Sequence, residues 1–273
     1  MTEESIGETT TTPLKRSPIP AQVNKEQRLE ELTAQISGKT PEQIARTILA
    51  RERLVERQTR LRGIDQLMEL YAPALFGRTL EREVGLVVRE HTSPGLGLVL
   101  LDLDDFGNFN KLNGKKAGDE VLKTTGKTIN NAVRETDLAF REGGEELAII
   151  APYTNEGPKP DTVGDPAIEE TDPGGRVRIA IEKATSPRGF RVKVSAGETD
   201  YVRGERPEQL YQRADRARRI AKQLGKNRTV RITQINGMLF AHDLTDKKRY
   251  SVNVYSERDE NGKDVERFAL SQL

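Results

Sequence analysis

The chain of 273 residues contains no cysteine and no tryptophan, and only two histidines, His91 and His242. The absence of cysteine excludes disulfides and thiolate zinc sites, and imidazole ligands could come only from the two histidines. Hard cations on oxygen ligands are the metals that remain compatible with this composition.

Long apolar runs and an excess of one charge are also missing. No stretch of 18 apolar residues and no basic start followed by an apolar segment is found, so we expect no membrane segment and a cytoplasmic location. Lys plus Arg (44) nearly balance Asp plus Glu (43), which gives no argument for a nucleic-acid or membrane-surface partner. The 34% hydrophobic content is sufficient for a packed core.

The chain divides into four parts by composition. Residues 1–24, rich in Thr, Pro and charge, are predicted to be a disordered tail because they bury little apolar surface. Residues 25–64 have a charged helical pattern, typical of either a solvated helical arm or a dimerising coiled coil. Residues 65–233 alternate between helix-like and strand-like patterns, and residues 234–273 read as a β-strand appendage.

Within the 65–233 domain, hydrophobic spacing predicts helices over 76–90, 119–133, 176–184 and 207–224. Short apolar runs predict strands over 96–101, 138–141, 147–150 and 191–196, followed in the tail by 229–233, 238–244, 250–256 and 267–270. Alternating helices and strands favour an α/β fold, specifically an α+β sandwich with helices over a sheet.

The strongest local feature is a buried strand that ends in three carboxylates, in the segment Asp102-Leu103-Asp104-Asp105-Phe106. Strand ends are where α/β folds expose their sites. Crowded carboxylates repel each other unless a cation lies between them, so a magnesium site would explain the cluster. An acidic turn or helix cap explains it equally simply.

A second feature is the predicted hairpin tip Gly143-Gly144-Glu145-Glu146. The two glycines would allow a ligand to approach the backbone closely, and one glutamate could join Asp102 on a metal. Gly-Gly turns are nevertheless common in hairpins that bind nothing.

A third feature is the basic end of the helix predicted over 207–224, where Lys222 and Lys226 flank Gly225. Cations at a helix C-terminus usually interact with the helix dipole. These lysines could also hold a polyphosphate.

Taken together and in order, these motifs resemble the GGDEF family of diguanylate cyclases, over roughly residues 65 to 228. The family's D-x-D-x-F segment corresponds to 102–106, and its name-giving loop to Gly143-Gly144-Glu145-Glu146-Leu147. Further matches are Asn110, Gly118-Asp119, Ser195-Ala196-Gly197, Ala214-Asp215, Ala221-Lys222 and Gly225-Lys226-Asn227.

The resemblance implies a palm-like nucleotidyl-cyclase domain with a central, mostly antiparallel sheet flanked by helices. It also implies the reaction: two GTP molecules condense into cyclic di-GMP with release of pyrophosphate, in a homodimer with Mg2+ or Mn2+. By resemblance, Asp102, the carbonyl of Leu103 and Glu145 would hold the metal, with Glu146 near the metal or the attacking hydroxyl. Asn110 and Asp119 would bind guanine. The main chain around Asp105 and Phe106, with Lys222 and Lys226, would hold the phosphates, and Gly143 and Gly144 would also bind the substrate.

The segment Arg134-Glu135-Thr136-Asp137 matches the family's R-x-x-D site for inhibition by the cyclic product. A helix-end ion pair would give the same pattern. Two other functions remain open: a catalytically weak or inactive receptor for GTP or cyclic di-GMP, and a related enzyme that makes another nucleotide product.

The sequence departs from the family at several positions. Ala72 and Pro73 stand where Asn and Arg are usual, and Gly107 replaces a usual Lys near the phosphates. Lys115 replaces a usual His, and Leu147 a usual Phe. We expect the first three changes to affect substrate contacts, whereas Leu147 preserves an apolar side chain.

Overall fold

The computed structural model describes residues 63–89, 95–152, 172–235 and 237–273. The predicted disordered tail, residues 1–24, lies outside the described residues. So does the predicted helical arm, residues 25–64, apart from its last two positions. Most of the Pro- and Gly-rich stretch after Tyr153 is also outside them.

The described part of the chain forms five helices and eight strands. None of these helices is both long and apolar enough to cross a membrane. The helices are α1 (Pro73–Arg89), α2 (Phe106–Asn113), α3 (Lys115–Ala132), α4 (Pro173–Lys183) and α5 (Pro207–Gln223). The strands are β1 (Leu96–Leu103), β2 (Leu138–Gly143), β3 (Glu146–Pro152), β4 (Val194–Asp200), β5 (Thr229–Ile235), β6 (Met238–Asp243), β7 (Lys248–Arg258) and β8 (Asp264–Gln272).

All eight strands belong to one sheet in the order β2-β3-β1-β4-β5-β6-β7-β8. Every neighbouring pair is antiparallel except β4 and β5, which run parallel. Helices cover both faces, with α1 and α5 on one side and α3 and α4 on the other. The predicted α+β sandwich around a mostly antiparallel sheet is confirmed.

Strand β1 lies at the centre of the fold and is buried along its whole length. Its residues alternate between the two faces: Leu98 and Leu100 pack towards α1 and α5, whereas Val99 and Leu101 join the core on the other side. A strand covered on both faces reads as a continuous hydrophobic run. The same strand carries Asp102 into the sheet, one residue before its end.

Most helix and strand ends differ from the sequence prediction by a few residues, and three differences concern the site or the strands beside it. Strand β1 continues to Leu103, so Asp102 lies within the strand and not in the loop after 101. Helix α2 was not predicted, because glycine and asparagine weaken the helical pattern of its sequence. Strand β4 begins at Val194 and runs to Asp200, later than predicted, because the buried polar residues Glu198 and Thr199 hide its strand character.

Helix α1 begins at Pro73, which with Ala72 stands where the family usually has Asn and Arg. Proline suits the first turn of a helix because its fixed φ is helical and no partner is needed for a missing N–H. Ala72 donates its N–H to the carbonyl of Gly63 at 2.7 Å. These two residues therefore form the start of a helix.

The C-terminal strands continue the sheet without a break. Strand β5 spans the predicted boundary between 233 and 234, pairing with β4 on one side and β6 on the other. Helix α5 packs on this region through Ala217, Ile220 and Ala221, against a cluster that includes Phe268 of β8. The division into a 65–233 domain and a 234–273 appendage stays a prediction.

Candidate active site

Two carboxylates lie opposite each other on the adjacent strands β1 and β3. Asp102 of β1 is paired in register with Glu146 of β3 and with Ser195 of β4. Side chains directly opposite each other on antiparallel strands project from the same face. The other predicted glutamate, Glu145, lies in the turn before β3, and its carbonyl accepts the N–H of Leu103 at 3.4 Å.

Helix α5 brings two cations to these carboxylates. Lys222 Nζ lies 2.7 Å from Asp102 Oδ1. Arg218 Nη1 lies 2.8 Å from Glu146 Oε1 and 3.6 Å from Asp102 Oδ2, while its Nη2 lies 2.7 Å from Asp215 Oδ1. Lys222 was a predicted site residue, whereas Arg218 was not.

Arg218 stays charged in this setting. Burial alone would lower the pKa of its guanidinium, but the hydrogen bonds and negative charges of Glu146 and Asp215 raise that pKa above its ordinary value. The sequence offered one signal for this role: Arg218 and Lys222 are four residues apart, which places them on one helix face.

The donor set fits a hard cation held together with a nucleotide. Among the described residues, no group of three or more His, Cys, Asp or Glu side chains could hold a metal by itself. Mg2+ is commonly bound through one or two carboxylates while phosphate oxygens and waters complete its octahedron. Asp102, Glu146 and the main-chain carbonyl of Leu103 supply oxygen donors of this kind.

Asp104, the second carboxylate of the motif, forms hydrogen bonds within the protein that hold neighbouring elements together. Its side chain accepts a hydrogen bond from Ser195 Oγ at 2.7 Å and another from the Asn227 N–H at 2.8 Å. Burial raises the pKa of Asp104 above its ordinary value, although both hydrogen bonds oppose that rise. Asp104 therefore ties the end of β1 to β4 and to the segment after α5.

The predicted phosphate-binding residues meet at the start of α2. Asp105 precedes the helix with a left-handed backbone, φ 57°, and its Oδ1 lies 2.6 Å from Lys226 Nζ. This hydrogen bond raises the pKa of Lys226. Phe106 is buried in the core, so only its main chain could contact a ligand.

The predicted guanine-binding residues lie where α2 and α3 meet. Asn110 Oδ1 is buried and has no hydrogen-bond partner among the described residues. A Cβ atom at Gly118 would lie 1.9 Å from this oxygen, so glycine is required for Asn110 to sit there. Asp119 is the next residue of α3 and is half-buried. A buried acceptor without a partner beside a carboxylate suits a ligand that donates hydrogen bonds.

The Gly-Gly hairpin is confirmed, and an arginine that sequence reasoning missed fixes its position. Arg141 of β2 donates to Asp65 Oδ2 at 3.0 Å and, through Nε and Nη2, to the carbonyl of Gly144 at 3.0 and 2.8 Å. Gly144 has φ 51°, a conformation that glycine adopts without strain. Because Asp65 and Arg141 are 76 residues apart, no local pattern indicates this contact.

The predicted product-binding motif forms a turn with a buried carboxylate. Asp137 Oδ2 accepts the N–H of Arg134 at 2.9 Å and lies 3.1 Å from Nη2 of Arg176 on α4. The side chain of Asp137 is 2% exposed, whereas Arg134 is exposed. Arg134 is thus part of this turn and Arg176 contacts it from α4. Arg176 was not predicted.

The chain is similar in sequence to curated diguanylate cyclases. The chain is 34% identical over 133 residues to the diguanylate cyclase DgcM of Escherichia coli K12, covering 49% of this chain and 30% of DgcM. It is 34% identical over 170 residues to the diguanylate cyclase DgcP of Pseudomonas aeruginosa, covering 60% of this chain and 23% of DgcP. The chain thus spans less than a third of the length of these two curated relatives.

Solved structures of GGDEF domains are similar to the fold of this chain. The GGDEF domain of DgcB from Caulobacter crescentus, in complex with c-di-GMP, matches with a TM-score of 0.52 and 26% identity. The match covers 62% of this chain and 95% of the DgcB domain. The family model described as diguanylate cyclase, GGDEF domain, matches residues 63–228. The chain therefore belongs to the GGDEF domain family of diguanylate cyclases.

Proposed function

We propose that the chain is a diguanylate cyclase, which joins two GTP molecules into cyclic di-GMP and releases two pyrophosphates. The observation that carries the proposal is the pairing of Asp102 with Glu146 on one face of the sheet, within reach of Lys222. Oxygen donors for a metal and a cation for phosphates are thereby brought to one strand end.

Asp102, the carbonyl of Leu103 and Glu145 would hold Mg2+ or Mn2+, and the strand register adds Glu146 to this set. When bound, the cation would neutralise charge that develops on the α-phosphate and on the attacking oxygen. Both glutamates could contact the metal, because Glu146 lies directly opposite Asp102 and Glu145 lies in the adjoining turn.

The remaining residues would position GTP. Asn110 Oδ1 and the Asp119 carboxylate would accept hydrogen bonds from guanine N1 and N2, which adenine does not offer as a pair of donors. Lys222, Lys226 and the main chain at 105–106 would hold the phosphates. Gly143 and Gly144 carry no side chain that would obstruct the nucleotide.

Catalysis would require two copies of the domain. One domain has one set of guanine and phosphate residues, so the 3′-hydroxyl of one GTP must reach the α-phosphorus of a GTP held by a second domain. The bond from α-phosphorus to the bridging oxygen breaks as the new ester forms, and pyrophosphate leaves. We therefore propose a homodimer as the active form, with specific activity that rises with protein concentration.

We further propose that cyclic di-GMP binds near Arg134 and inhibits the enzyme. Arg134 is exposed and Arg176 is 23% exposed, so both guanidinium groups could contact phosphates or guanine edges of the product. Asp137 would act mainly by fixing the turn.

The full chain should be incubated with Mg2+ and an equimolar mixture of the four nucleoside triphosphates, and its products identified by mass spectrometry. Cyclic di-GMP as the main product, with a rate per protein that rises with protein concentration, is the expected result. A different cyclic dinucleotide would identify a related enzyme.

The alternative is a receptor that binds GTP or cyclic di-GMP without turnover. One observation favours it, namely that Arg218 and Lys222 already neutralise the carboxylates at the centre of the site. Nucleotide binding without product in a demonstrably dimeric sample would support the receptor.

A further inference from the structure

We infer that Arg218 is an internal counter-ion that competes with a divalent cation for Asp102 and Glu146, and thereby sets how much metal the site requires. This inference rests on the proposed function, because it assumes that the two carboxylates hold the metal. Arg218 is here a positioning residue, because it acts on the metal through its contacts with Asp102 and Glu146.

The guanidinium of Arg218 is fixed among three carboxylates. It contacts Glu146 at 2.8 Å, Asp215 at 2.7 Å and Asp102 at 3.6 Å, and its side chain is only 12% exposed. Behind it, the backbone of α5 lies against Gly197 of β4. Lys222 differs, because its side chain is 38% exposed and its ion pair among the described residues is with Asp102. Of the two cations, Arg218 is therefore the less free to move away.

The charges at the site make competition unavoidable. Asp102 and Glu146 carry two negative charges, and Arg218 and Lys222 supply two positive charges within 4 Å of them. A divalent ion on the same oxygens would meet a guanidinium at close range, and like charges repel strongly at such distances in a partly buried site. Arginine cannot relieve the repulsion by losing a proton. It must instead give up its contacts with Glu146 and Asp102.

Asp215 gives Arg218 an alternative position. Because Nη2 is held by Asp215, three residues earlier on the same helix, the side chain can release Glu146 while it keeps one strong ion pair. A triphosphate arriving with the metal would supply new anionic partners for the freed Nη1. The cost of displacing Arg218 is therefore highest for the metal alone and lower for the metal with nucleotide.

The test is the affinity of the full chain for Mn2+ without nucleotide, measured by electron paramagnetic resonance of free Mn2+. Arg218→Met should bind Mn2+ more tightly than the wild type, by roughly fivefold or more, as expected for removal of one partly buried competing charge. Arg218→Gln keeps a hydrogen-bond donor but lacks the charge, and should also bind more tightly. If the melting curve shows that Arg218→Met folds poorly, Arg218→Gln provides the test instead.

Arg219→Met is the matched control, because Arg219 is the next residue of α5 but is directed to Glu266 and Phe268 of β8. Its Mn2+ affinity should equal that of the wild type. Unchanged or weaker Mn2+ binding in folded Arg218→Met and Arg218→Gln would overturn the inference, as would an equal gain in Arg219→Met.

Assay of cyclic di-GMP on the same samples separates the two proposals. Product from the wild type with no affinity change in the variants would leave the cyclase standing and remove the role of Arg218. Tighter Mn2+ binding in the variants, with no product in any sample, would support the role of Arg218 and remove the cyclase proposal.

Discussion

Gly197 of β4 lies directly against Arg218 of α5, so close that a Cβ atom on the glycine would come 1.9 Å from the backbone nitrogen of Arg218. Backbone atoms cannot move aside as a flexible side chain can. The same position would also crowd the carbonyl of Ala214 at 2.5 Å. Glycine at 197 thus allows α5 to lie on the sheet at the depth from which Arg218 and Lys222 reach Asp102.

Gly197→Ala is therefore expected to destabilise the protein by roughly 1–3 kcal/mol, the usual cost of overpacking a core. Thermal or urea unfolding measures this change. Gly107→Ala is the matched control: outside its chain neighbours and the backbone of its own helix, no described atom lies within 4 Å of a Cβ placed there, and alanine favours a helix over glycine. Equal stability of the two variants would show that α5 can shift without cost.

The two glutamates of the hairpin can be tested separately. Glu145→Gln and Glu146→Gln each keep the shape of the side chain but remove one charge from the proposed metal site. We expect turnover of GTP to fall on the order of 10²-fold or more in each variant, by analogy with the loss of one preorganised electrostatic contact. Rates of cyclic di-GMP formation at saturating Mg2+ provide the measurement.

The melting temperature serves as the control for both variants. Glu145→Gln relieves repulsion between carboxylates, which should leave the fold intact. Glu146→Gln loses an ion pair with Arg218 whose carboxylate side is 48% exposed, and such a loss should cost little stability. If Glu145→Gln matches the wild type within a few-fold while Glu146→Gln is inactive, the metal contact belongs to Glu146 alone. The reverse result would restrict it to Glu145.

Product inhibition should depend on the exposed cation of the R-x-x-D turn. Arg134→Ala should weaken binding of cyclic di-GMP roughly tenfold or more, since a charge-assisted hydrogen bond would be lost, and should prolong the linear phase of GTP turnover. Calorimetry with cyclic di-GMP measures the affinity. Arg188→Ala, which removes an exposed arginine paired with Glu120, is a suitable control, and equal affinities in the two variants would contradict the proposed product site.

Stability should depend on pH through a buried carboxyl on β4. Burial raises the pKa of Glu198 to about 8, and nearby Arg231 lowers it without cancelling that rise. The folded protein thus retains a proton that the unfolded chain releases near pH 4.5, so stability falls as pH rises from about 4.5 to 8. Glu198→Gln should remove this slope, roughly 1.4 kcal/mol per pH unit for one proton.

The comparison is cleanest between pH 6.5 and 8. Burial also lowers the pKa of His242 from 6.5 to about 4, which adds a slope of opposite sign only below pH 6.5. Denaturant unfolding of the wild type and Glu198→Gln at several pH values measures the difference. Parallel pH profiles above 6.5 would mean that Glu198 is ionised in the folded protein.

Local patterns predicted much of the fold and the parts of the site that lie within single elements. The apolar run of β1 ending in Asp102, the Gly143-Gly144 hairpin and the basic end of α5 were all visible in the sequence. Contacts between distant polar residues were not. Arg141 with Asp65, and Arg218 with Glu146, depend on strand register and helix depth, which no local spacing encodes. Polar residues such as Glu198 concealed the second half of β4, because the partner of Glu198, Arg231, lies on another strand.

Helix α5 carries two adjacent rows of basic side chains, and each row forms ion pairs with a different set of carboxylates. Arg216 and Arg219 hold Glu266 of β8 at 2.7 and 3.1 Å, while Arg218 and Lys222 hold the carboxylates of the site. Since successive residues are about 100° apart around a helix, the two rows lie on neighbouring sides of one rod. A rotation of that rod about its own axis cannot change one set of ion pairs without changing the other. The rotation of α5 about its axis therefore sets both the position of Lys222, which is proposed to bind phosphate, and the contacts of the helix with β8.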